Sequence, residues 1–193
     1  MLNYRGKYEM KKIVFTTFLV WGLILNGVAF AGSPDQQTPE EAYYEVLKEE
    51  YLPQSTPQES FLLELKLLAQ GMYCYDLPLF DPQWRLKGKK ILTSSLFFDT
   101  AKAANQPFDA YIEGDRAVIY YPQNKALSPV FLYEENSKWV IDRTASADRI
   151  FFDHNKWITL GGDYPYLDLL KKVYNLKEIR VQESGLVGYR VAD

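Results

Sequence analysis

The stretch "IEGDRAVIYY", residues 112–121, decides how the rest of the chain is read. Two short runs of β-branched and aromatic residues flank Gly114-Asp115, and a Gly-Asp pair in that setting predicts a tight hairpin turn. The pattern continues on both sides. PFDAYIEG (107–114), DRAVIYYP (115–122), SPVFLYEE (128–135) and KWVIDRT (138–144) are four such runs. Their punctuation, at 114–115, 122–124 and 135–137, is of hairpin type, so the sheet is expected to be antiparallel.

Upstream the period changes from 2 to 3.6. Thr38-Pro39-Glu40-Glu41 predicts a helix start, with Tyr43, Val46, Leu47 and Tyr51 at helical spacing before Pro53. Residues 56–60, TPQES, repeat that start chemistry, and the helix after them places Phe61, Leu62, Leu65, Leu68 and Ala69 on one face. Residues 71–90 read as an ordered, irregular connection, and 94–104 as a third helix. Downstream the pattern suggests a strand over 149–153, a loop at 161–163, a helix over 165–174, and two edge strands at 178–182 and 186–191. Helices followed by a meander give an α+β class, with the helices packed on one face of the sheet.

The N-terminus carries an export pattern. Lys11 and Lys12 precede an apolar run from Ile13 to Leu25, and Ala29-Phe30-Ala31 is a small-residue cleavage signal. The run is too short for a stable span. Residues 1–31 are therefore expected to be a signal peptide, with Met1 or Met10 as the start, and residues 32–37 a disordered leader. The expected location is periplasmic or secreted. Without the signal segment the chain has a net charge of −6. It carries no basic run, which makes nucleic acid a poor partner. The single Cys74 can form no internal disulfide and reads as a small buried apolar residue.

Three features together resemble the small exported domains of the NTF2-like superfamily: TPEEA at 38–42, the Gly-Asp hairpin of 112–121, and EENSKWVID at 134–142. The resemblance covers residues 38–143 and leaves 144–193 as a C-terminal extension packed on the same domain. It implies an N-terminal set of helices wrapped by a curved antiparallel sheet, a cone that often encloses an apolar cavity. It fixes no activity. Isomerase-type members resemble a pocket with an Asp base beside acidic or phenolic donors, which here points to Asp99, Asp142, Tyr111 and Tyr120.

Little else in the sequence carries chemistry. His154 is the sole histidine; it could serve as a base beside Asp153 or sit in an Asp-His-Asn turn. No second His or Cys pair exists for a metal, and no cofactor motif occurs. The excess of Tyr, Phe and Trp suits a pocket or an interface as well as a core. The sequence thus suggests an exported, non-enzymatic binding module for a small apolar molecule or an envelope protein, with a homodimer possible. Tyr111, Tyr120, Phe131 and Trp139 are the candidate binding residues. The alternatives are an inhibitor or immunity-type envelope protein, and an isomerase- or hydrolase-type enzyme using Asp99, Asp142 or His154.

Overall fold

The computed structural model describes residues 39–70, 73–88, 91–92, 106–153, 156–180 and 187–192. The expected third helix, with Asp99, lies outside them, as does His154.

Turn chemistry sets the meander. β3 (Asp109–Glu113) and β4 (Arg116–Tyr120) pair antiparallel around Gly114, whose φ of 60° supplies the first residue of a two-residue turn. β5 (Val130–Glu135) and β6 (Lys138–Ile141) join through Asn136 and Ser137, both at positive φ, 51° and 58°. That is the double left-handed pattern of a type I′ turn. The sheet order is β3-β4-β5-β6.

Side-chain alternation gives this sheet two buried faces. Ala117, Ile119, Leu132, Trp139 and Ile141 face a core made with α1 (Pro39–Glu50) and α2 (Pro57–Ala69). Val118 and Phe131 face a second core made by the C-terminal part of the chain. The four-residue α3 (Pro82–Arg85) sits between two two-residue strands that pair with each other, β1 (Tyr73–Cys74) and β2 (Ile91–Leu92).

The helices bury faces rotated from those expected. In α1, Tyr44 and Leu47, continued by Tyr51 just past its end, are buried, whereas Tyr43 and Val46 are exposed. In α2 the buried positions are Pro57, Ser60, Phe61, Glu64, Leu67 and Leu68, and Leu62 is exposed. Glu64 explains the shift. It is 0% exposed at the centre of the buried face, and its Oε1 accepts from Arg143 Nε at 2.6 Å. A hydrophobic pattern counts such a carboxylate as solvated, and so turns the helix away from it.

After β6 comes a helix the sequence pattern did not show, α4 (Arg143–Arg149). Then follow β7 (Ile150–Asp153), β8 (Lys156–Leu160), α5 (Leu167–Val173), β9 (Leu176–Arg180) and β10 (Val187–Val191). β8 was also unexpected. These strands form their own antiparallel sheet in the order β7-β8-β10-β9. The last strand is therefore central, correcting the edge position expected for it; β7 and β9 are the edges. Gly161 lets the chain leave β8 close to β10. Its N–H donates to Val187 O at 2.8 Å, and a Cβ there would lie 2.9 Å from the same oxygen. α5 packs on β3 and β4, and Trp157, Tyr166, Leu170 and Val191 join Val118 and Phe131 in the second core. The described residues form one compact unit. Among the described residues no helix is long and apolar enough to cross a membrane.

Candidate functional site

Two aspartates organise a cleft where β6 gives way to α4. Asp142 caps α4: its Oδ1 accepts from Ala145 N at 2.8 Å, and its Oδ2 accepts from the Tyr166 hydroxyl at 3.0 Å. Asp81 caps α3, with Oδ1 accepting from Trp84 N at 2.9 Å. The same oxygen accepts from Thr144 Oγ1 at 2.6 Å, and Oδ2 accepts from Arg143 N and Thr144 N at 2.9 and 3.1 Å. One carboxylate thus ties the start of α3 to the start of α4. The backbone reinforces the junction, since Ile141 N donates to Leu79 O and Asp81 N donates to Ile141 O.

Above this floor is a cleft of about 570 Å³. Its walls include Tyr133 from β5, Thr144, Asp148 and Arg149 from α4, and Asp163, Tyr164 and Tyr166 from the loop before α5. Tyr166 is 0% exposed and stacks on Phe131 with ring centres 4.6 Å apart. Arg149 lies over the Tyr164 ring at 5.4 Å, and Arg116 lies over Tyr133 and Tyr166 at 5.4 and 5.9 Å. Burial raises the Asp142 carboxyl above the ordinary carboxylate value, opposed by the bonds from Ala145 and Tyr166 and assisted by the Asp81 charge. Burial chiefly, then nearby carboxylates, pushes the Tyr133 phenol up to about 12. Burial likewise raises Tyr166 strongly, with Asp142 adding to it.

Each residue singled out from sequence now has a place. Asp142 lines the cleft and holds a tyrosine, but the tyrosine is Tyr166 rather than Tyr111 or Tyr120. Phe131 backs the cleft through its stack on Tyr166. Tyr120 meets Tyr174 edge to face in the second core. Tyr111 is half-buried on the same face of the sheet, with Lys172 over its ring. Trp139 is buried in the first core, on the opposite face, so the four candidate binding residues do not converge. Cys74 is a buried free cysteine whose thiol burial raises.

Asp81 was missed. Its signal was Asp81-Pro82, an N-cap followed by a proline at the first helical position. Tyr164 and Tyr166 were missed: the pattern starts a helix at 165, whereas the helix begins at Leu167 and leaves both tyrosines in the preceding loop. Among the described residues no group of three or more His, Cys, Asp or Glu side chains is placed to hold a metal ion. In comparisons with known proteins, no family model, no curated protein and no solved structure matches the chain.

Proposed function

We propose that the chain is an exported, non-enzymatic binding module and that its ligand sits in the cleft between Tyr133, Thr144 and Tyr166. One observation carries this reading. The cleft's floor is fixed before any ligand arrives, because Asp81 accepts four hydrogen bonds and Asp142 two. A preformed cleft of about 570 Å³ lies within the range of small-molecule sites, and half-buried Tyr133 in its wall combines an apolar face with a polar tip. Its lining is mixed, so the ligand carries polar groups on an apolar frame. Export rests on the N-terminal pattern. The likeness to NTF2-like domains rests on the TPEEA start, the Gly-Asp hairpin and the meander that follows it. The test is calorimetric titration with a panel of small metabolites, using Tyr133→Ala as control. Binding abolished by the substitution supports the cleft; binding unaffected by it places the site elsewhere.

The Asp142–Tyr166 pair favours a second reading, an isomerase- or hydrolase-type enzyme. A buried carboxyl of raised pKa touching a phenol in a cleft is a proton-transfer arrangement. Chemical change of a bound ligand by the native chain, lost in Asp142→Asn while binding persists, would decide for it. An envelope protein partner is the outcome if no small molecule binds and a protein co-purifies at fixed stoichiometry.

A further inference from the structure

We propose that the cleft selects a small organic cation, its ammonium drawn to the exposed rim carboxylates of Asp148 and Asp163 and its carbon frame set against Tyr133. This deepens, and rests on, the reading of the cleft as a ligand site.

Charge and aromatic surface point the same way. Four aspartates line the cleft, Asp81, Asp142, Asp148 and Asp163, against Arg149 in the lining and Arg116 over the rings of Tyr133 and Tyr166. Arg149 is turned onto the Tyr164 ring. Asp148 and Asp163 are exposed at the rim, and among the described residues neither is in an ion pair. The rings themselves already attract cations, since the chain's own guanidinium groups lie over Tyr133, Tyr164 and Tyr166. Beside burial, the carboxylates of Glu135, Asp81 and Asp142 raise the Tyr133 phenol, opposed by Arg85. The carboxylates that line the cleft attract a cation, and low-dielectric walls focus that attraction. The volume of about 570 Å³ admits a small molecule.

The experiment is isothermal titration calorimetry on the purified protein with choline and butylammonium. Each is run beside its uncharged isostere, 3,3-dimethylbutanol or butanol, with butyrate as the anion. The expected result is binding of a cation at least about tenfold tighter than its isostere, weakening as salt is raised. The double variant Asp148→Asn/Asp163→Asn, changed only at exposed positions, is expected to lose about three- to tenfold in affinity. Tyr133→Ala is expected to abolish binding. Equal binding of the isosteres, or preference for butyrate, overturns the cation while leaving the cleft standing if Tyr133→Ala still removes it. Cation binding that neither variant alters overturns both. Silence from all five probes overturns the cation, and the cleft is then judged by whether the protein retains any other ligand.

Discussion

Asp142 does two jobs with one carboxyl group: it caps α4 and holds the Tyr166 hydroxyl. Asp142→Ala leaves a buried phenol and a helix N-terminus without their acceptor, a loss of about 1–3 kcal/mol. Asp142→Asn keeps an acceptor for Ala145 and is expected to cost less. The two also differ in pH dependence. Because the folded carboxyl titrates above its ordinary value of 3.8, the native state holds a proton that the unfolded state has released. Stability from this group therefore falls as pH rises from that value through the folded one. Urea unfolding across that range is expected to show the slope in the native chain and its loss in Asp142→Asn. Glu64 gives a second test. Arg143→Ala strands a carboxylate that is 0% exposed and is expected to cost about 3–5 kcal/mol by the same method. Glu64→Leu/Arg143→Met removes both charges and is expected to cost much less. If the single and double variants cost the same, the pair is not what matters at this position.

At the scale of elements, legibility followed the strength of local chemistry. The Gly-Asp and Asn-Ser turns were readable because their backbone needs few residue types. α2 was readable from Thr56-Pro57, and Thr56 Oγ1 does accept from Glu59 N at 3.2 Å. Which face it buries was not, because Glu64 is made internal by Arg143, 79 residues away. α4 was hidden for a similar reason: it is seven residues long, too short to show a period, and its start is fixed by Asp81 from a distant loop. The place of β10 within its sheet depends on its pairing with β8, KWITL at 156–160, a contact between distant residues that no local pattern encodes. The β5–β6 turn offers a direct check. Ser137 pays a steric cost at φ 58° that glycine avoids. Ser137→Gly is expected to stabilise the chain by about 1 kcal/mol, read as a rise in thermal midpoint; a fall would mean that the serine side chain contributes more than the backbone strain.

Across the whole molecule, the class was legible and the site only partly so. Helices before a meander gave α+β, and the composition gave many tyrosines. It could not give their convergence, since the cleft joins residues from 81, 133, 142–149 and 163–166, brought together by the Asp81 junction and the second core. Those tyrosines have a collective consequence. Burial raises the phenols of Tyr51, Tyr133 and Tyr164 to about 12, and Tyr121, Tyr166 and Tyr174 are raised further. Above pH 10.0, the ordinary tyrosine value, the unfolded chain sheds protons that the native chain keeps, so stability falls as pH rises. Absorbance at 295 nm is expected to show a lag and then a step coincident with loss of secondary structure. Smooth ionisation of all tyrosines near pH 10.0 would contradict their burial.

The central claim is that a ligand occupies the cleft floored by Asp81 and Asp142. Native mass spectrometry of the protein, purified gently from its own host, tests it most directly. The expected result is a retained small mass at one per chain, absent from Tyr133→Ala isolated the same way. A chain that carries no added mass, or a mass that Tyr133→Ala retains equally, would contradict the claim.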